Sequence, residues 1–271
     1  MSALIHPTAF VSPKAEIGRN VSIGPCAMIE DDVFIGDDSQ IHAFASVKQY
    51  TRMGRENIVH SYAMVGGTPQ DLKFAGERST LEIGDRNCIR EFATLHRGTE
   101  GGGGVTRIGT GNLIMAYCHV AHDCILGNSI VMSNNATLAG HVTLGDYAIV
   151  GGLSAVHQFC RVGRGAFIGG MTGVGQDVAP FMMAVGSRAG IHGPNLVGLR
   201  RMGLKTTSVA AVRSAFKLIW LSEMPRAEAL AKLEEDFADV PEVAEIVEFV
   251  RTSQRGVLPA VRASELKESP Y

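Results

Sequence analysis

An aliphatic residue returns at every sixth position along most of this chain. From Ile5 the frame steps through Val11, Ile17, Ile23, Ile29, Ile35, Ile41, Val47, Met53, Val59 and Val65. It resumes at Ile83, Ile89 and Leu95, slips by one residue, and then steps by six from Ile108 through Ile114, Val120, Leu126 and onward to Val174. None of these positions is polar, and thirteen are followed by glycine. A period of six is neither the helical 3.6 nor the strand period of 2. It fits a short strand and a corner, repeated. Three such sides close a triangular coil of eighteen residues with the aliphatic side chain pointing inward. Stacked coils pair through parallel ladders about 4.8 Å apart, so each coil covers its neighbour's apolar edge. Glycine suits the corners because it tolerates unusual backbone angles. The expected fold class is therefore an all-β parallel β-helix over 1–187.

Two stretches break the frame. Residues 66–82 occupy the place of one coil but carry Pro69, Gln70, Asp71 and Lys73 where the pattern wants apolar side chains. Residues 96–107 contain Gly101-Gly102-Gly103-Gly104. Both are expected to leave the prism as loops, and long ordered loops often carry function. After about Ser187 the spacing becomes helical: Val209, Val212, Phe216, Ile219 and Trp220, then Leu230, Leu233 and Phe237, then Val243, Ile246, Val247 and Val250. Pro241 suits a first helical turn. Three packed amphipathic helices are expected over 188–271, with the last dozen residues as a loose tail.

Composition narrows the function. A formal net charge of -2 argues against a general binder of nucleic acid or anionic membrane. No run of apolar residues is long enough to span a membrane, and residues 1–10 lack the basic-then-apolar order of a signal peptide. Cys26, Cys88, Cys118, Cys124 and Cys160 show no C-x-x-C spacing and read as reduced, small, buried residues of a cytoplasmic protein.

In an eighteen-residue coil, residues eighteen apart lie one above another. His122, Gly140 and Gln158 then form one column, Ala121, Ala139 and His157 a second, and Asp123, His141 and Phe159 a third. The columns are sequence neighbours, so His122, Asp123, Gly140, His141, His157 and Gln158 converge on one corner of three successive coils. An imidazole titrates near neutrality and serves as a general base. An adjacent carboxylate orients the ring and stabilises its cation, and a bare glycine N–H can donate to an oxyanion. Such a set could take the proton from a hydroxyl for attack on a thioester without a protein nucleophile.

Six segments carry further information: Thr68-Pro69-Gln70-Asp71-Leu72-Lys73-Phe74-Ala75-Gly76-Glu77, Ile89-Arg90-Glu91, His96-Arg97-Gly98-Thr99, His119-Val120-Ala121-His122-Asp123-Cys124, Asn134-Asn135-Ala136-Thr137-Leu138-Ala139-Gly140-His141 and Ala155-Val156-His157-Gln158-Phe159. With them the chain resembles the bacterial UDP-N-acetylglucosamine O-acyltransferases, the acyl-carrier-protein-dependent enzymes that begin lipid A synthesis. The resemblance covers the prism nearly end to end and continues into the helices. It implies a left-handed winding, which the general preference for right-handed crossovers would not give. It implies His122 as general base toward the sugar 3-hydroxyl, Asp123 as its partner and Gly140 as oxyanion donor. His141, His157 and Gln158 would hold sugar and pyrophosphate, with Gln70 and His119 also binding substrate. Asp71 and Lys73 would reach across a subunit boundary toward ligand. Asn195 and Arg201 match nucleotide-binding positions, and Arg188 would also bind substrate. The implied assembly is a homotrimer, the partners are acyl carrier protein and UDP-N-acetylglucosamine, and neither cofactor nor metal is implied.

The chain departs from the family pattern in three places. Arg200 and Arg201 precede Met202 where two basic residues usually stand just before the glycine at 203, and Arg188 stands where His is common. The pair Arg200 and Arg201 also reads simply as solvated charges at a helix start. Gly170 occupies the position associated with acyl-chain length, and an absent side chain there implies a long acyl chain, near 3-hydroxymyristoyl. Arg200, Arg201, Lys205 and Arg213 could give the helices a basic face for acidic acyl carrier protein. Rival readings are a sister N-acyltransferase, a catalytically silent scaffold, and a γ-carbonic-anhydrase-like enzyme with zinc on His119 and His122. The first usually carries an extra N-terminal domain, for which a frame beginning at Ile5 leaves no room.

Overall fold

The six-residue frame closes into a triangular prism in the computed structural model, which describes residues 3–261. Three parallel sheets form its faces. Face A runs through the strands Leu4–Ile5, Ser22–Ile23, Gln40–Ile41, Ile58–Val59 and Cys88–Ile89 and on up the prism, face B starts at Phe10–Val11, and face C starts at Glu16–Ile17. Successive strands of one face pair in parallel with the frame residues in register, as Ile5 opposite Ile23, Ile114 opposite Met132 and Leu138 opposite Val156. From Ile23 onward every frame residue is buried, whereas Ile5 at the open end is exposed. The winding is that of a left-handed β-helix.

Most of the glycines after the frame residues serve a purpose other than the one expected, Gly66 with its φ of 86° being an exception. Gly18, Gly36 and Gly84 do not have positive φ. Instead the next coil passes so close that a Cβ on Gly36 would lie 2.6 Å from the carbonyl carbon of Gly54. From Asn20 onward the left-handed conformation falls on the second residue of most corners, and there it is borne chiefly by ordinary side chains such as Asn20, Asp38, Tyr62, Asp123, His141 and Phe159.

Inside the prism, two residues before each frame residue, a second inward position holds mostly small or hydrogen-bonded side chains, with Leu81 and Ile130 as larger exceptions. Cys118, Cys124 and Cys160 occupy it as buried residues, while Cys26 is exposed at a corner and Cys88 is half-buried, so the reading of all five as buried is corrected. Beneath face A the same position holds a polar ladder that sequence spacing did not single out. The Asn87 N–H donates to Asn57 Oδ1 at 2.9 Å, the Asn112 N–H to Asn87 Oδ1 at 2.9 Å, and the Ile130 N–H to Asn112 Oδ1 at 2.7 Å. The amide nitrogens of these asparagines donate to the carbonyls of Gly84, Gly109 and Gly127. Buried amides are tolerated because they are paired in this way.

Both frame breaks leave from the corner between faces B and C. Val65 on face B and Ile83 on face C are consecutive sides, with Ile83 opposite Met53. The stretch 66–82 is therefore an insertion at one corner and does not take the place of a coil, which corrects the expectation. The second excursion likewise joins Leu95 on face B to Ile108 on face C. The two loops lie on successive coils and bond to each other: the Thr80 N–H donates to Gly104 O, the Gly98 N–H to Thr80 O, and the Glu100 N–H to Glu77 Oε1.

At the far end, Met182–Val185 adds to face A in parallel and Gly190–Pro194 turns back antiparallel upon it, so the sheet runs on past Ser187. Four helices follow: α1 (Leu196–Arg201), α2 (Thr206–Phe216, continued by one π-turn over Lys217–Leu221), α3 (Arg226–Asp236) and α4 (Pro241–Arg251). The short α1 was not expected. It places Arg200 and Arg201 in a last turn, where cations suit the helix dipole, rather than at a helix start. Buried Asp177 fastens the helical part to the prism by accepting from Arg161 Nε at 3.1 Å and Ser253 Oγ at 2.8 Å, and Arg164 pairs with Glu245 of α4. Of the expected tail, only Ala260 and Val261 are described; they extend the sheet at Ile191, and the remainder lies outside the described residues. No helix among the described residues is long and apolar enough to cross a membrane.

Candidate active site

The corner between faces B and C carries the three expected columns. The His141 N–H donates to His122 O at 3.0 Å and the Phe159 N–H to Gly140 O at 3.1 Å, so His122, Gly140 and Gln158 stack on successive coils, as do Asp123, His141 and Phe159. The His122 Nδ1 lies 2.7 Å from Asp123 Oδ2, and His141 Nε2 lies 3.8 Å from the same oxygen. The rings of His122 and His141 meet edge to face at 5.2 Å, and His141 stacks on Phe159 at 4.4 Å. Burial pushes the His141 imidazole below its usual range, opposed by the charge of Asp123. With Nδ1 turned to a carboxylate, His122 presents Nε2 toward Gly140. Among the described residues the Gly140 N–H donates to no other group.

Asp123 is almost wholly enclosed, and what encloses it is the second excursion. Thr99 donates its N–H to Oδ1 at 2.8 Å and its hydroxyl to Oδ2 at 2.7 Å, while the Asp123 N–H donates to Thr106 Oγ1 at 2.8 Å. Gly102 packs on the carboxylate so closely that a Cβ would fall 2.0 Å from its carbon. Spacing did not identify Thr99, because the loop leaves the periodic frame, nor Thr106, which stands two residues before Ile108 at the second inward position; the one signal was the inclusion of Thr99 in the His96-Arg97-Gly98-Thr99 match.

Beside this pair lies a second imidazole layer. His119 is half-buried with Nδ1 2.7 Å from Thr94 Oγ1, and its ring meets that of His96 edge-on at 4.8 Å. Burial lowers the pKa of His119 and pushes that of His96 down to about 4. His157 and Gln158 stand exposed at the corner, with His157 Nδ1 3.1 Å from Gln158 O. On the first excursion Asp71 Oδ1 accepts the Lys73 N–H at 3.0 Å, Lys73 and Gln70 are exposed, and the Asp71 charge reaches His141 of its own chain.

The remaining expected residues lie elsewhere on the chain. Asn195 and Arg201 line a pocket of about 390 Å³ on face A, with Val131, Ile149, Phe167 and Met202. The Asn195 side chain caps α1, accepting from the Gly198 N–H at 2.9 Å and donating to Gly165 O at 3.0 Å. Arg188 is exposed in the turn before Gly190. Gly170 stands at the corner between faces A and B, where a Cβ would meet only Gly152 O, at 3.5 Å. One chain therefore does not bring these four residues to the His122 corner.

His122, Asp123 and His141 offer donor atoms within 4.8 Å of one another, close enough for a metal ion. The carboxylate oxygens already accept three bonds, and His122 spends Nδ1 on Asp123, which fits an acid–base pair better than a ligand set. His119, the other expected zinc ligand, spends Nδ1 on Thr94.

A left-handed prism of hexapeptide coils whose corner presents such a pair defines an acyltransferase of the hexapeptide-repeat class. Residues 177–258 match the family described as UDP-N-acetylglucosamine O-acyltransferase, domain 2. The acyl-[acyl-carrier-protein]–UDP-N-acetylglucosamine O-acyltransferase of Anaeromyxobacter dehalogenans is 47% identical over 253 residues, 93% of this chain and 98% of that protein. The solved structure of the Acinetobacter baumannii enzyme superposes with a TM-score of 0.92 at 40% identity, covering 94% of this chain and 99% of that one. The UDP-N-acetylglucosamine acyltransferase of Campylobacter jejuni gives 0.90 at 42%, covering 95% and 100%. The chain belongs to the family of acyl-[acyl-carrier-protein]–UDP-N-acetylglucosamine O-acyltransferases.

Proposed function

We propose that this protein transfers an (R)-3-hydroxyacyl chain from acyl carrier protein to the 3-hydroxyl of UDP-N-acetylglucosamine in the cytoplasm, the first step of lipid A biosynthesis. The observation that carries the mechanism is the 2.7 Å contact between His122 Nδ1 and Asp123 Oδ2. Asp123 holds the proton on Nδ1, so the Nε2 lone pair is free to accept the proton of the sugar hydroxyl as its oxygen attacks the thioester carbonyl. The Gly140 N–H donates to the oxyanion that develops. Collapse of the tetrahedral intermediate expels the thiolate of the carrier's prosthetic arm, which takes the proton from His122. His141, His157, Gln158, Gln70 and His119 bind the sugar and its pyrophosphate around this centre, with Asp71 and Lys73 from the first excursion. No step needs a metal or a cofactor.

The working unit is a homotrimer. Face A turns Ile58, Leu113, Val131, Ile149 and Phe167 outward, and the adjacent corner exposes Phe44, Tyr62, Phe92 and Tyr117 as a stack of rings 4.9–5.1 Å apart. Face C instead turns out Glu16, Arg52, Glu82 and Arg107 beside Phe34 and Ile125. An apolar wall over the middle and upper coils, from Leu113 to Phe167 with the ring stack beside it, fits another copy of the chain. Such packing brings Asn195, Arg201, Arg188 and Gly170 of one copy toward the His122 corner of the next. Asn195 and Arg201 then bind the nucleotide, and the open space at Gly170 admits a long acyl chain near 3-hydroxymyristoyl. The decisive experiment is incubation with UDP-N-acetylglucosamine and hydroxyacyl carrier protein. We expect His122→Ala to lose at least about a hundredfold in kcat; equal activity in the variant removes His122 from its role.

A further inference from the structure

The glycine-rich second excursion has a task that the transfer mechanism does not use directly. We propose that Thr99 is a positioning residue for the reaction, and that the excursion exists to deliver it to Asp123. The Thr99 N–H and hydroxyl occupy one oxygen each of the Asp123 carboxylate, at 2.8 and 2.7 Å. Two donors fixed on one residue set the plane of the carboxylate, and that plane decides that Oδ2 faces His122 Nδ1. Thr99 is itself buried, so water does not replace it.

The loop's composition follows from this task. Thr99 O accepts from the Gly102 N–H at 3.0 Å and from the Gly104 N–H at 2.7 Å, folding the segment into a tight turn. Gly103 and Gly104 adopt φ of 91° and 78°, angles that other residues reach only with strain. Gly102 has the carboxylate where its side chain would be. Three of the four consecutive glycines are thus accounted for by a loop that clasps one carboxylate; Gly101 meets nothing and is not required by the clasp.

This inference rests on His122 acting as base and Asp123 as its partner, and it has its own test. Thr99→Val keeps the shape and the N–H but loses the hydroxyl donor. With that donor gone, the negative charge is less shared and falls more heavily on His122, which favours the cationic ring, so the acid limb of the kcat profile is expected to move to higher pH. The other titratable groups around the pair are His141, His119, His96 and the buried Cys124, with Asp71 beyond His141, and the variant alters none of them.

We expect Thr99→Val to lower kcat about tenfold or more, with the KM of both substrates within about twofold, and to shift the acid limb upward. Thr99→Ser, which restores the hydroxyl, should return both to wild type. Gly102→Ala, which leaves Thr99 intact but forces the carboxylate aside, should reproduce the loss and serves if the valine variant does not fold. Wild-type kcat and acid limb in Thr99→Val overturn the proposal. So does a loss of activity with an unmoved acid limb that serine fails to rescue. Failure of the base assignment shows separately, as full activity of His122→Ala.

Discussion

Gly140 stands directly over the imidazole of His122, one coil away: a Cβ at 140 would lie 2.6 Å from Cε1 and 2.8 Å from Nε2. The absent side chain leaves the ring its place and leaves the neighbouring N–H open to a ligand. Gly140→Ala is therefore expected to displace the His122 ring and lower kcat by about a hundredfold, with a much smaller change in thermal stability. Steady-state kinetics beside a melting curve checks this. An alanine variant with wild-type kcat would show that the ring does not need this place.

Gly170 offers the opposite case. Its backbone does not have positive φ, and a Cβ would meet only Gly152 O at 3.5 Å. Gly170→Met should fold as the wild type does and project its side chain into the space assigned to the distal acyl chain. The expected outcome is a switch in preferred donor from 3-hydroxymyristoyl toward 3-hydroxydecanoyl carrier protein. Competition between the two donors measures it, and a wild-type preference for the shorter one would refute the assignment.

His96 couples the site to acid stability. It is 4% exposed, and burial holds its pKa near 4 against an ordinary 6.5. The unfolded chain therefore takes up this proton at higher pH than the folded one. The folded state loses stability as pH falls from about 6.5 to 4, by up to about 3 kcal/mol, and keeps the full contribution above that window. Denaturant titrations at pH 7 and pH 4.5 should show a smaller difference for His96→Gln than for wild type.

The asparagine ladder makes a further stability test. Asn87 bonds at once to Asn57, to Gly109 and to the Asn112 N–H. Asn87→Ala leaves several buried partners unpaired and should cost about 2–4 kcal/mol, seen as a lower denaturant midpoint. Exposed Asn20, whose amide reaches only Asp38, should tolerate the same change.

How much of this was legible in the sequence depended on whether a residue obeys the frame. The prism and the clustering of His122, Asp123, Gly140 and His141 followed from a repeat of eighteen, because ladder pairing enforces that register coil after coil. Thr99 and His96 stood close to the same centre but outside the frame, and no periodic argument reaches into an insertion. The glycines were counted correctly but explained wrongly, since sequence shows a small residue without showing whether an angle or a passing strand demands it. Asn57, Asn87 and Asn112 did carry a signal, each following a frame residue by four positions. That signal is weak, because a polar side chain in a sequence more often marks a surface than a buried ladder. Asn195, Arg201 and Gly170 were placed by resemblance alone, and a single chain sets them on other faces.

Across the described residues, twenty side chains other than glycine hold the left-handed conformation, nearly all of them at corners. A turn occupied by residues as different as Asp, Arg, Leu and Tyr, though by no β-branched one, works as a shelf: its contents can be exchanged at one height without disturbing the floors above and below. The same edge that carries aspartate and histidine at 123 and 141 carries plain Asp32 and Tyr50 nearer the open end. Chemistry in this scaffold is thus written by choosing a storey, which lets new activities arise through local substitution while the frame stays untouched.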